Sequence, residues 1–285
     1  MVFVRLILAL GILLLCGLAP AFCSKRVALV MGNHAYRDTP PLANPVNDAY
    51  AMAAVLQGLG FTVILGIDLG KADMDAKIRA FVTLLPGAEV AVFFYSGHGL
   101  QSGNVNYLVP VDAKAASIAT LDSEMVRLQD VQQSMEREAK ISILFLDACR
   151  DSSPGRSSAR ARDAYQGGIG QGLAPMGSNA TGTVISFSTE PGNVALDGTG
   201  NNSPYTTALV RRIGTPGEEV MSMLMEVRKE VRAATGGRQT TWEHSALVDK
   251  FYFKPASLPA FAIRVPPFGS EVASIEQIGS MRTGH

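Results

Sequence analysis

The sequence predicts an α/β fold with a mostly parallel central sheet of about six strands flanked by helices. Two observations carry this expectation. Val90 to Tyr95 and Ile141 to Leu146 are short, continuous, β-rich apolar runs, the pattern of strands buried on both faces of a parallel sheet. Around them, strand-like segments alternate with segments whose apolar residues recur at helical spacing, which marks βαβ units.

Taken in order, Arg26 to Met31 reads as the first strand. Asn44 as N-cap, with Pro45 at the first helical position, opens a helix whose apolar residues are Val46, Ala49, Ala53 and Leu56. Phe61 to Leu65 is a second strand, and Met74, Ile78, Phe81 and Leu85 keep the helical period before the third strand, Val90 to Tyr95. An extended excursion follows over Asn104 to Val111, then a helix over Leu121 to Ala139 and the fourth strand, Ile141 to Leu146. Ser152 to Thr181 is rich in Ser, Gly, Ala and Arg with few large apolar residues, and reads as a long loop. Thr183 to Phe187 is a fifth strand. Ser203 and Pro204 start a helix, Val220, Leu224, Val227 and Val231 line another, and Phe251-Tyr252-Phe253 falls in a sixth strand. Residues 255–285 read as a tail outside the core, from their prolines and small residues.

At 285 residues and 47% hydrophobic, the chain suits one domain. Lys plus Arg and Asp plus Glu both number 25, so no basic field argues for nucleic acid. Arg5, the apolar stretch Leu6 to Leu18 and Ala19-Pro20-Ala21 read as a cleavable signal peptide over residues 1–21, which predicts export to a periplasmic or extracellular space. The alternative is a membrane anchor formed by an uncleaved leader, although the apolar core is shorter than the ~20 residues of a spanning helix. Cys16 belongs to the leader and Cys23 sits beside the new terminus, leaving Cys149 as the internal cysteine. No disulfide framework follows, and a chemical role for Cys149 is weighed against that of a small buried hydrophobe.

Ser96-Gly97-His98-Gly99 ends the third strand and Asp147-Ala148-Cys149-Arg150-Asp151 ends the fourth. Ligands of open α/β sheets bind outside the carboxyl ends of the strands, so an imidazole and a thiol are expected at one crevice. That is the layout of a cysteine nucleophile with its base, Cys149 and His98. The backbone N–H groups of Gly99 and Cys149 are the candidate oxyanion hole, each such donor being worth about 3 to 4 kcal/mol of barrier. One Cys and one His leave a tetrahedral metal site two ligands short, and no cofactor is implied. His34 competes as the base from a polar loop, whereas His244 and His285 stand in no motif. Gly32-Asn33-His34 lacks the Gly-x-Gly-x-x-Gly turn of a nucleotide-binding fold. Either glycine-rich segment alone is ordinary turn chemistry; their conjunction is the signal.

The spacing resembles the caspase pattern of a catalytic Cys with a His about 50 residues upstream, here with Asp147 where that pattern has Gln. Together with Gly32-Asn33 through Asn47-Asp48-Ala49, and with Ser188-Thr189-Glu190-Pro191-Gly192, these motifs resemble the bacterial metacaspase-like (orthocaspase) branch of the caspase superfamily, peptidase family C14, over about Arg26 to Phe253. The resemblance implies a caspase-like three-layer sandwich with a peptidase domain over residues 24–254. It implies a Cys-His endopeptidase without a mandatory third member, acting on proteins or peptides. The acidic calcium cluster of several metacaspases has no counterpart in the sequence. By the same resemblance, Asp48 and Asp147 are pocket acids and Ser96 a polar wall around an Arg or Lys of the substrate, which suits a carboxylate pair. The structural alternatives are a first-turn helix acid at Asp48 and a strand-end turn residue at Asp147. Arg156, Arg160 and Arg162 are self-cleavage candidates in the 152–181 loop, against an ordinary linker. The rival to a peptidase is a catalytically silent interaction module on the same fold. The oligomeric state stays open.

Overall fold

The two apolar runs become neighbouring central strands. β3 (Ala88–Gly97) and β7 (Ala139–Ala148) pair in parallel, with Ser96 opposite Asp147 and Gly97 opposite Ala148. The structure is a computed structural model and describes residues 24–114, 118–148, 169–178, 180–191 and 193–256. Residues 1–23, which include the expected leader, Cys149, Arg156, Arg160, Arg162 and the residues beyond 256 lie outside the described residues.

Around β3 and β7, β1 (Arg26–Gly32), β2 (Thr62–Ile67), β9 (Thr183–Phe187) and β10 (Trp242–Ser245) complete a six-stranded sheet in the order β10-β9-β7-β3-β1-β2. All neighbours run parallel except β10, which is antiparallel to β9. The α/β expectation therefore holds.

Strand alternation sorts the side chains into two cores. Val92 and Phe94 pack with α1 (Pro45–Gly58), α5 (Pro204–Arg212) and α6 (Val220–Ala234) on one face. Phe93 and Tyr95 pack with α2 (Lys71–Leu84) and α4 (Leu128–Glu138) on the other. Phe93 and Phe94 are fully buried on opposite faces, each contributing about 2 to 3 kcal/mol. This two-sided burial is why the run shows no polar alternation.

Several elements differ from expectation. The excursion over Asn104 to Val111 is the second half of a hairpin, β4 (Gly99–Ser102) and β5 (Val105–Leu108), turned by Gly103 at φ 59°. With β6 (Val126–Arg127) and β8 (Ile169–Gln171) it forms a second, antiparallel sheet in the order β6-β5-β4-β8. The helix expected over Leu121 to Ala139 is interrupted at Met125, which is extended, because Val126 and Arg127 pair with Leu108 and Tyr107. It splits into α3 (Leu121–Glu124) and α4. β8 also interrupts the long loop, through its pairing with β4.

The sixth strand is Trp242–Ser245, not the stretch at Phe251-Tyr252-Phe253. Phe253 instead packs its ring 6.2 Å from both Phe61 and Phe145, so burial, not a ladder, explains the aromatic run. Asn44 likewise does not cap α1 with its side chain. The Asp197 carboxylate accepts from the N–H groups of Ala43 and Asn44 in its place, while Asn44 Nδ2 donates to the Asp197 carbonyl at 2.6 Å. Ser203 caps α5 as expected, accepting from Thr206 N at 2.9 Å.

The chain leaves β1 for β2 on one side and then crosses to β3 on the other, so the strand order reverses between β1 and β3 and opens a crevice at their carboxyl ends. α1 lies hard against this point. A Cβ on Gly32 would sit 2.2 Å from the Pro45 carbonyl oxygen and 2.7 Å from Ala49 Cβ. We expect Gly32→Ala to cost about 2 to 3 kcal/mol in urea denaturation, since backbone must move to admit one methyl. A midpoint matching the wild type would refute this close approach.

Candidate active site

The crevice is floored by an extension of the ladder: Asn33 N donates to the Ser96 carbonyl at 2.9 Å. The buried Asn33 side chain accepts from Leu69 N at 2.9 Å and donates to the Val109 carbonyl at 3.1 Å. One amide thus joins the ends of β1, the β2–α2 connection and the segment after β5.

His98 follows β3 directly and is half-buried. Its Nε2 lies 3.1 Å from the Pro40 carbonyl oxygen, and its ring centroid lies 4.4 Å from that of Tyr36. A carbonyl only accepts, so in this contact Nε2 is the donor. Cys149 follows the last residue of β7, as His98 follows the last residue of β3, and the terminal residues Ala148 and Gly97 are register partners. Among the described residues, it is thus Gly97 and Ala148, the residues before His98 and Cys149 in the sequence, that stand side by side.

Gly99 opens β4. The His98 carbonyl accepts from Val109 N at 3.1 Å, the pattern in which the Gly99–Leu108 pair exchanges no hydrogen bonds and the Gly99 N–H points away from β5. A Cβ on Gly99 would lie 3.2 Å from Ala148 Cβ and 3.0 Å from Leu173 Cδ2. Glycine here lets the hairpin close onto the end of β7. A small recess beside it is lined by Leu146, Ala148, Leu173, Phe187, Thr189 and Glu190.

On the opposite face of the sheet, Asp48, Ser96 and Asp147 come together, all fully buried. Asp48 stands in the first turn of α1, yet its carboxylate reaches across to other elements. It accepts from Ser96 Oγ, Asn202 Nδ2 and Ser203 N, each at 3.0 Å. Asp147 is the penultimate residue of β7, inside the ladder, and not a turn residue. Its Oδ2 accepts from Ser203 Oγ and, at 2.9 Å, from Thr206 Oγ1. Ser203 thus touches both acids, one through its N–H and the other through its hydroxyl, at the positive end of α5.

Burial, the largest effect, raises the Tyr205 phenol well above its ordinary pKa; its hydrogen bond with Ser186 opposes this, and the negative charge of Asp147 adds to the rise. Ser188 continues the row: its N–H bonds the Leu146 carbonyl at 2.9 Å, and its buried hydroxyl has no hydrogen-bond partner among the described residues.

Sequence reasoning named Asp48, Ser96, Asp147, His98 and Gly99, but not Pro40, Tyr36, Asn202 or Thr206, and it saw Ser203 only as a helix start. The Ser-Pro pair signalled the cap; nothing local signalled its two acidic partners. His34 stands apart from this chemistry, its Nδ1 held at the Leu42 carbonyl and its N–H bonded to Asp68 Oδ1 at 2.7 Å. No group of three or more His, Cys, Asp or Glu suited to a metal occurs among the described residues.

Residues 25–252 match the caspase domain family. The chain is 31% identical over 126 residues to human mucosa-associated lymphoid tissue lymphoma translocation protein 1, and 30% identical over 126 residues to its mouse homolog. Each alignment covers 44% of this chain but only 15% of the relative's length. The crystal structure of caspase-1 from Spodoptera frugiperda superposes with a TM-score of 0.56 at 14% identity, covering 82% of this chain and 91% of that one.

Ser203→Ala removes the cap of α5 and a donor to Asp147 together. It should cost about 2 kcal/mol or more, seen as a lower urea midpoint with an unchanged slope. A cost under about 0.5 kcal/mol would show that Ser203 does not tie the acids to α5.

Proposed function

The chain belongs to the caspase domain family, a protease-type fold, and from that premise we propose that it is a cysteine endopeptidase using a Cys149–His98 dyad and cleaving after Arg or Lys. The observation that carries this reading is the β3–β7 register, which ends one strand just before His98 and its neighbour just before Cys149. His98 Nδ1 takes the thiol proton, and the thiolate attacks the scissile carbonyl carbon. The Gly99 and Cys149 N–H groups hold the resulting oxyanion. The imidazolium then protonates the leaving amine, and water hydrolyses the acyl-enzyme. The Pro40 carbonyl steadies the imidazole where a triad would use a side chain.

The preference for a basic residue is drawn from the resemblance of Asp48 and Asp147 to pocket acids, and the two carboxylates are tied together through Ser203. Their hydrogen bonds fix them in place, so a guanidinium meets charge that needs no reorganisation. The same preference would make Arg156, Arg160 and Arg162 substrates of the enzyme itself. We also propose export through the leader over residues 1–21, with a mature amino terminus near Phe22 or Ser24.

The test is a pair of fluorogenic peptides, one with Arg and one with Asp before the scissile bond. Cys149→Ala and His98→Ala should each lower turnover by roughly 10³-fold or more with the fold retained. Activity near the wild-type rate in either variant would sink the dyad. Cleavage of neither peptide by folded wild type would favour the silent interaction module. Asp147→Asn should reduce kcat/KM for the Arg peptide by roughly 30-fold or more, through loss of a buried charge partner. Better cleavage of the Asp peptide by the unmodified enzyme would overturn the pocket assignment.

A further inference from the structure

The backbone of His98 is gripped on both sides by tyrosine hydroxyls. Its N–H donates to Tyr36 Oη at 2.7 Å, and its carbonyl accepts from Tyr95 Oη at 2.8 Å. The two hydroxyls lie 3.3 Å apart. Tyr36 also lays its ring against the imidazole, with centroids 4.4 Å apart and planes inclined at 48°. Both tyrosines are buried, Tyr36 at 8% exposure and Tyr95 at 0%.

Gly97 is what admits them. A Cβ at that position would lie 2.6 Å from Tyr36 Oη and 2.7 Å from Tyr95 Oη, so any side chain there would push the hydroxyls off His98. The glycine of the Ser-Gly-His-Gly motif therefore has a specific tenant on each side.

The loop that carries Tyr36 is itself braced. Asp68 Oδ1 accepts from His34 N at 2.7 Å and Ala35 N at 2.9 Å, and Arg37 N donates to the Val111 carbonyl at 3.0 Å. The same loop supplies the Pro40 carbonyl at His98 Nε2. One short segment thus holds the peptide, the ring face and one ring nitrogen of the same residue.

We propose that Tyr36 is a positioning residue for the His98 imidazole, fixing its peptide through the hydroxyl and its ring through the tilted ring contact, while Tyr95 holds the opposite side of that peptide. This deepens the peptidase reading and rests on His98 being the base. A ring held in this way spends its time at the angle proton transfer needs, and misplacement on the scale of an ångström costs up to about 100-fold in rate. An imidazolium also gains from an aromatic face, which favours the ion pair it forms with a thiolate.

The experiment uses the full chain as Tyr36→Phe, which keeps the ring and removes the hydroxyl, and as Tyr36→Leu, which removes both. Turnover of the Arg peptide is measured from about pH 5.5 to 9, alongside the pH dependence of Cys149 alkylation by iodoacetamide. Tyr36→Phe should lose roughly tenfold in kcat with KM within about twofold. Tyr36→Leu should lose more and shift the alkylation midpoint to higher pH, since the face that stabilises the imidazolium is gone. Near-ultraviolet circular dichroism reports folding, and if Tyr36→Leu does not fold, Tyr36→Phe decides. A folded Tyr36→Phe with wild-type kcat, or with its loss confined to KM, would overturn the proposal. Failure of the underlying reading looks different: wild type itself shows no turnover, and His98→Ala leaves the alkylation profile unmoved.

Discussion

The parallel pairing of β3 with β7 is the constraint from which the candidate site follows. Because side chains alternate, the register that sets Ser96 opposite Asp147 sends both toward α1 and α5, while Tyr95, Leu146 and Ala148 face the other core. A slip of β7 by one residue would turn Asp147 into the apolar core and Leu146 and Ala148 toward α1 and α5. Continuous burial on both faces makes such a slip costly, so the apolar runs of β3 and β7 hold the polar residues at their ends in place.

Two buried carboxylates beside one another would ordinarily destabilise a fold. Here each accepts hydrogen bonds from hydroxyl, amide or backbone donors, and both converge on the amino end of α5. Ser203 is the joint, serving as helix cap and acid partner at once. The arrangement links the stability of α5 to the two carboxylates, so perturbing one disturbs the other. On the opposite face, the loop from Asn33 to Asn44 does comparable work for the imidazole through Tyr36 and Pro40.

Much of this was legible in the chain, and the exceptions are physical. The strands and the helices on either face announced themselves because their apolar residues recur with the period of the element they form. The edge strand Trp242–Ser245 did not, because its half-exposed residues carry no apolar run, and Phe251 and Phe253 imitated a strand while packing edge-to-face against each other in the core. The break at Met125 was invisible because helical periodicity continues through it, and only β5 offers the competing backbone partners. Asn44 matched the composition of a cap, yet Asp197, more than 150 residues away, supplies the carboxylate.

Of the candidate site, the sequence by itself supplied the expected residues: His98, Cys149, Asp147 and Ser96 each stand at the end of an apolar run in the sequence, and runs of that kind are expected to end at a common edge. That inference needs only strand periodicity and the rule that parallel sheets place function at their carboxyl ends. The tertiary structure alone decided what each described group touches. Asp48 bonding Ser203, the Tyr36 ring tilted against His98 and Pro40 facing its Nε2 join residues 155, 62 and 58 positions apart, through loops whose course no local pattern encodes. Hydrogen bonds of that reach depend on the packing of whole elements, and so they appear only once the sheet and its helices are assembled.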